Sequence, residues 1–149
     1  MQTLEISREL DEVVTKEATV VAMSGGVDSS VAAAMMTRSQ SNVIGITLKL
    51  YDEKKVAKSK TCCAGSDILD AKRIASTINI PHYVLDYESI FKENVIDPFI
   101  AEYKAGRTPI PCISCNEKVK FLDLINFARK IGASSLTTGH YIKKLKIRD

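Results

Sequence analysis

The sequence predicts an α/β fold built on a doubly wound, mostly parallel sheet. Two observations predict it. Short apolar, β-branched segments alternate with helical patterns in the order β-α-β-α-β-α-α-β, and strands buried on both faces of a parallel sheet read as near-continuous apolar runs. The first such segment runs into Ser24-Gly25-Gly26 and then directly into a helix, the strand-to-helix turn beside which sheets of this class bind ligands. With 149 residues and 45% apolar side chains, the chain suits one domain with a sizeable core. Residues 1–17 are expected to be a polar lead-in, and residues 18–149 the domain itself.

Taken in order, Ala18 to Met23 (ATVVAM) reads as a buried strand, and Asp28 to Arg38, rich in Ala and Met, as a helix. Val43 to Leu50 (VIGITLKL) is the second strand, followed by a Lys-rich loop over residues 51–61. Ile68, Ala71, Ala75 and Ile78 recur at helical spacing and share one face; Asn79 and Pro81 end that helix. His82 to Leu85 is the third strand. Glu88 to Ala105 reads as mostly helical, with a break or restart at Pro98. Pro109 and Pro111 predict an irregular, extended stretch from Gly106 to Cys115. An amphipathic helix is expected over Asn116 to Ile131, with Phe121, Leu122, Ile125 and Ala128 inward. Ser135 to Thr138 is the fourth strand, then Gly139-His140-Tyr141; the end, YIKKLKIRD, is a candidate further strand.

Composition narrows the function classes. No apolar run reaches the 18 or so residues of a membrane span, so no membrane partner is expected. The opening MQTLEISRELDEVV lacks a basic region followed by an apolar one, which predicts no secretory signal and a cytoplasmic location. Four Cys in that compartment are thiols, metal ligands or catalytic groups rather than structural disulfides. The net charge of +3 is unevenly distributed: residues 1–103 carry 11 Lys/Arg against 15 Asp/Glu, and residues 104–149 carry 10 against 3. A concentrated basic segment suits a polyanion such as nucleic acid, or is a solvated surface.

Ser24-Gly25-Gly26-Val27-Asp28-Ser29-Ser30 has the chemistry of a phosphate cradle. Consecutive Gly let the backbone approach an anion, successive N–H groups form a nest, and the helix N-terminus adds free donors and partial positive charge. The hydroxyls of Ser24, Ser29 and Ser30 are further candidate donors, and Asp28 is a candidate Mg²⁺ ligand or helix cap. The loop is neither a Walker A sequence, whose Lys is missing, nor GxGxxG. A Gly-rich turn with Ser caps is the plain structural alternative. Cys62 and Cys63 are adjacent and suit buried thiols; Cys112 and Cys115 form a CxxC. A four-thiolate zinc site would need two adjacent Cys on one tetrahedral ion and lacks a second CxxC. Placed before a helix start at Asn116, with Arg107 and Lys118 near in sequence, Cys112 and Cys115 are candidate reactive thiolates.

SGGVDSS resembles the pyrophosphate loop of the ATP pyrophosphatases, which implies the adenine nucleotide alpha hydrolase-like (PP-loop) version of the doubly wound fold. It also implies adenylation rather than phosphoryl transfer. GRTPIPCISCNEKVKF, from Gly106 to Phe121, resembles the signature GRTPNPxxxCNxxIKF of the tRNA-specific 2-thiouridylases, the MnmA/TrmU family. AEYKAGR at 101–107 and TGHY at 138–141 fit the same family, and the likeness covers the chain from about residue 18. The resemblance implies an enzyme in which ATP adenylates the C2 oxygen of a wobble uridine in tRNA, after which a persulfide sulfur replaces that oxygen. It implies ATP contacts at Ala22, Met23, Ser24, Gly25, Gly26, Val27, Asp28 and Ser29, an adenine contact at Leu48 and a further ATP contact at Gly139, with Mg²⁺ on the phosphates. Ile110, Pro111 and Cys112 match the segment that meets the target base, and Cys115 matches the first catalytic Cys. Ile110 stands where the family usually has Asn, and Cys112 where many members have an Asp proposed as acid/base; a thiol titrates near 8.5 against about 4 for Asp. Cys112 is then a candidate sulfur carrier.

Family members are more than twice this length. The resemblance therefore implies an N-terminal catalytic domain alone, a truncated product or one half of a split enzyme. The second catalytic Cys and the later tRNA-binding domains would lie beyond Asp149. Partners implied are tRNA, a persulfide relay protein upstream, and a second chain supplying the missing part. A nucleotide-binding module without activity, and an amide-forming ATP pyrophosphatase, are the alternatives.

Overall fold

The computed structural model describes residues 17–40, 42–51 and 65–142. Four strands form one parallel sheet: β1 (Thr19–Ala22), β2 (Val43–Lys49), β3 (His82–Asp86) and β4 (Ser135–Thr137). Their order is β3-β2-β1-β4, with Thr19 opposite both Val43 and Ser135 and Gly45 opposite His82. The chain therefore winds outward from β1 to β3, then returns to pair β4 with the other side of β1. The reversal between β1 and β4 is the switch point at which such sheets open a crevice beyond their carboxyl ends.

Helix α1 (Val27–Ser39) connects β1 to β2, and α2 (Gly65–Thr77) precedes β3. Alternation along the strands feeds two cores. Val21, Met23 and Val43 meet Ala33 of α1 and Ala71 and Ala75 of α2. Val20, Ile44, Ile46, Leu48 and Leu85 share the opposite core with the helices between β3 and β4. Asn79 ends α2 as expected, at φ +57, a left-handed conformation that Asn tolerates better than most side chains.

The two helices between β3 and β4 depart from the sequence reading. α3 (residues 88–104) is not broken at Pro98, but regular helix restarts beside it, the second of the two outcomes expected there. Regular turns at Glu88–Phe91 give way to a π-helical segment, Lys92–Ile96, and regular helix resumes over Asp97–Lys104. Pro98 lacks an N–H and crowds the carbonyl four residues back; the wider π turn ahead of it absorbs that conflict without ending the helix. Asn94 Nδ2 donates to the Ile90 carbonyl, 3.0 Å away.

α4 (residues 111–130) begins at Pro111 rather than Asn116. Pro111–Ser114 is already helical, Cys115–Asp123 is π-helical, and Leu124–Lys130 is regular. Pro suits a first helical turn because its missing N–H would have no intrahelical partner there; the extended stretch is thus confined to the residues before it. The π segment also changes which side chains face inward. With i→i+5 hydrogen bonds the turn is wider, and the buried positions run Cys115, Val119, Leu124, Phe127, Ala128 and Ile131. Leu122, expected inward, is 56% exposed, while Ala128 is buried and Phe121 and Ile125 half-buried. Residues 141 and 142 are irregular. The rest of the candidate fifth strand, most of the lead-in, the Lys-rich loop, Cys62 and Cys63 lie outside the described residues.

Candidate active site

A cavity of about 240 Å³ opens at the switch point. Three layers build it. Ile46, Leu48 and Leu50, at the end of β2, give an apolar floor. The loop after β1 supplies the polar rim through Ser24, Gly26, Asp28 and Ser29. Lys120, Phe121 and Leu124 of α4 close one wall, and Thr138, Gly139 and His140 after β4 close another. Of the residues expected to contact ATP, Ala22, Met23, Ser24, Gly26, Asp28, Ser29, Leu48 and Gly139 line this cavity. Gly25 and Val27 are not on its lining; Val27 is 78% exposed on the outer face of α1.

The loop is held by its own side chains. Ser29 Oγ donates to the Gly26 carbonyl at 3.1 Å and Ser30 Oγ to the same oxygen at 2.7 Å. The Ser24 N–H donates to Ser29 Oγ at 3.2 Å. The Ser29 and Ser30 hydroxyls expected to serve as anion donors are thus engaged in shaping the turn. Ser24 Oγ lies 3.2 Å from Ser29 Oγ and accepts from the Gly26 N–H at 3.5 Å, so the chief donors that remain are the backbone N–H groups of the first turn of α1, which have no partner within the helix. Gly25 has φ +78, and a β-carbon there would lie 2.3 Å from the Asp67 carbonyl oxygen, so the start of α2 presses on the loop and only Gly fits. A backbone nest at a helix N-terminus over an apolar floor fits a nucleotide: phosphates on the N–H groups, the base on β2.

Gly139 is as tightly placed. Its β-carbon would lie 2.6 Å from the Ser29 nitrogen and 2.8 Å from the Asp28 carbonyl carbon, so the exit of β4 lies against the first turn of α1. Two residues on, Tyr141 Oη donates to Asp28 Oδ1 at 2.8 Å, and the neighbouring carboxylate raises the pKa of that phenol. His140 Nδ1 is 3.0 Å from Thr138 Oγ1, and its ring meets Phe121 at a centroid distance of 4.9 Å.

Behind the loop, Thr47 Oγ1 donates to the Met23 carbonyl at 2.7 Å and lies 2.8 Å from His82 Nε2. The hydroxyl has one proton and the carbonyl takes it, so Nε2 is the protonated ring nitrogen. His82 Nδ1 is buried with no hydrogen-bond partner among the described residues. Burial first, and the Lys72 ammonium second, lower the imidazole pKa from 6.5 to about 4. A neutral histidine thus braces the end of β1 from two strands away.

The two described thiols sit on α4, outside the cavity. Cys112 is exposed in its first turn; Cys115, in the second, is buried in the cluster that includes Phe91, Val95 and Val119. Only Cys112 therefore stands at the helix N-terminus. Arg107 is not a thiolate partner: its guanidinium is bidentate with Glu102, with Nη2 to Oε1 at 2.7 Å, which holds the Arg107 pKa up and that of the Glu102 carboxyl down. Ile110 is exposed and Pro111 half-buried, both at the head of α4. Cys112 precedes Lys120 on the cavity wall by eight residues, at most roughly 12 Å along a helix. Among the described residues no group of three or more His, Cys, Asp or Glu could hold a metal ion, and no helix is long and apolar enough to cross a membrane. Lys120, His140 and Tyr141, and Phe121 beyond its expected place on an inward helix face, carry no site role that the sequence alone predicts, although they stand inside the CNEKVKF and TGHY segments that carry the resemblance.

Residues 17–149 match the model of the tRNA methyl transferase HUP domain family. The chain belongs to that family. Among curated HUP-domain relatives, it is 54% identical to the tRNA-specific 2-thiouridylase MnmA of Zymomonas mobilis over 147 residues, which is 98% of this chain and 40% of that protein. It is 61% identical to the protein of that name from Rickettsia akari over 127 residues, 85% of this chain and 35% of the relative. The chain thus spans no more than about two fifths of the length of these relatives. Among solved structures, an NH3-dependent NAD synthetase from Campylobacter jejuni superposes with a TM-score of 0.53 at 17% identity, covering 89% of this chain and 53% of that one. An NMN synthetase from Francisella tularensis gives 0.51 at 17%, covering 89% and 52%. These two share the fold, the adenine nucleotide alpha hydrolase-like arrangement expected from the sequence.

Proposed function

We propose that this HUP domain binds ATP at the switch-point cavity and serves the adenylation half of tRNA 2-thiouridine formation. One observation carries the reading: the cavity joins the Gly-rich phosphate loop to α4, the helix whose first two turns hold Cys112 and Cys115. A nucleotide and a base could therefore meet between them. The phosphates lie on the N–H groups of the loop and α1, and the adenine on Leu48. Asp28 holds Mg²⁺, which offsets phosphate charge. Lys120, the one Lys or Arg among the cavity's described lining residues, adds positive charge at the wall. The C2 oxygen of the target uridine attacks the α-phosphorus and pyrophosphate leaves; a persulfide sulfur then takes the place of the activated oxygen and AMP departs. Ile110, Pro111 and Cys112 present the base, and Cys115 is the first catalytic thiol. Its burial means that the head of α4 must shift for Cys115 to react.

The family description speaks of methyl transfer, which does not call for a phosphate cradle, whereas ATP activation uses one. The fold alone does not separate thiolation from the amide-forming ATP pyrophosphatases; the Cys-bearing α4 favours thiolation. The basic residues from 104 onward would meet tRNA phosphates. The relay protein that delivers sulfur, and a second chain completing the enzyme, belong to the same reading, which places the protein in the cytoplasm.

The test is AMP release from ATP and Mg²⁺, with and without unmodified tRNA. Release that requires tRNA and is lost in Asp28→Ala is expected. ATP binding without tRNA-dependent AMP would instead make the chain a nucleotide-binding module, and no ATP binding would overturn the site.

A further inference from the structure

Among the described residues after β4, Tyr141 is the one whose side chain reaches across to the Gly-rich loop through a hydrogen bond, and nothing in its burial explains it. The residue is 89% exposed, so its ring is not held there by packing. What places it is the backbone: Gly139 is pressed onto Asp28 and Ser29 with no room for a β-carbon, which brings the chain two residues later within reach of the Asp28 side chain. The phenol then donates to Oδ1 at 2.8 Å. Asp28 sits in the first turn of α1 and lines the cavity. Its described hydrogen bonding is the single contact from Tyr141, made to one oxygen only.

We propose that Tyr141 is a positioning residue for Asp28: the phenol takes Oδ1 and fixes the carboxylate plane, leaving Oδ2 to meet the divalent cation that accompanies ATP. This rests on the ATP reading above. The physical basis is general. A carboxylate that binds a metal through one oxygen is ordinarily held by a hydrogen bond to the other, and removing such an outer partner weakens metal affinity by about 10-fold to 100-fold. A phenol suits the role because it donates one proton and brings no charge that would repel the cation.

The experiment measures two affinities for the wild-type chain, Tyr141→Phe and Asp28→Asn: ATP binding by calorimetry in chelator, and Mn²⁺ binding to the ATP-loaded chain by electron paramagnetic resonance. Tyr141→Phe keeps the ring and is exposed, so the fold is expected to hold; a thermal melt checks that. The expected result is Mn²⁺ affinity reduced by about 10-fold or more in Tyr141→Phe, with metal-free ATP affinity within twofold of wild type, and at least as large a Mn²⁺ loss in Asp28→Asn. If Tyr141→Phe weakens ATP equally with and without metal, the contact is only a tie between β4 and α1, and the proposal is overturned. It is also overturned if Mn²⁺ binding is unchanged in Tyr141→Phe while Asp28→Asn loses it. Unchanged Mn²⁺ binding in Asp28→Asn removes Asp28 as the cation ligand and this inference with it. Absence of ATP binding in the wild-type chain rejects the underlying nucleotide reading instead.

Discussion

A single methyl group at residue 139 would collide with the backbone of the phosphate loop, 2.6 Å from the Ser29 nitrogen. Backbone atoms inside a helical turn cannot move aside as a flexible side chain can. Gly139→Ala should therefore push β4's exit away from α1, weaken ATP by at least about tenfold and lower stability by about 1–3 kcal/mol. Calorimetric titration and a denaturant midpoint measure the two effects; an alanine variant that binds ATP as wild type would show that the loop and β4 do not need this contact. Gly25 is constrained twice, by its φ of +78 and by the Asp67 carbonyl. At this scale the sequence was legible where glycine was concerned, since only close approach or positive φ demands it. Tyr141 was not legible, because a hydrogen bond spanning 113 residues leaves no local trace.

At the scale of elements, the chain from His82 on β3 through Thr47 on β2 to the Met23 carbonyl after β1 makes the sheet's brace sensitive to acid. His82 titrates at about 4 in the fold and near 6.5 unfolded, so the native state binds fewer protons. Its contribution is full above pH 6.5 and is lost as pH falls from 6.5 toward 4. Denaturant midpoints measured between pH 7 and pH 5 should fall for the wild-type chain, and His82→Gln should flatten that slope; an unchanged slope would place the acid sensitivity elsewhere. The helices teach a complementary point. Strand positions and the end of α2 follow from local apolar runs and from Asn79. The π segments in α3 and α4 do not, since a wider turn comes from packing and from Pro98, and it moved the inward face from Leu122 to Val119 and Leu124.

At the scale of the whole molecule, charge is segregated along the chain, with the positive excess after residue 103. Lys104, Arg129 and Lys130 are exposed, and Lys120 faces the cavity. Binding of tRNA through such groups releases counterions. Filter-binding affinity for unmodified tRNA should therefore fall by about tenfold or more between 50 and 200 mM salt if two or more phosphates are contacted. Salt-independent binding would remove these residues from the interface.

The sequence by itself determined the α/β class, the four strands, the Gly-rich turn after β1 and the family, because each is written in short stretches: a buried strand in six residues, a tight turn in two glycines, a signature in CNEKVKF. It also contained every residue of the cavity. Only the tertiary structure decided which of them meet. The reversal of strand order after β1 brings residues 138–141 against residues 24–29 and sets α4 across the crevice, and the π turns bury Cys115 while leaving Cys112 exposed. The meeting of residues 138–141 with residues 24–29 depends on contacts more than a hundred residues apart, and the π turns on packing between helices; no local pattern of side chains encodes either.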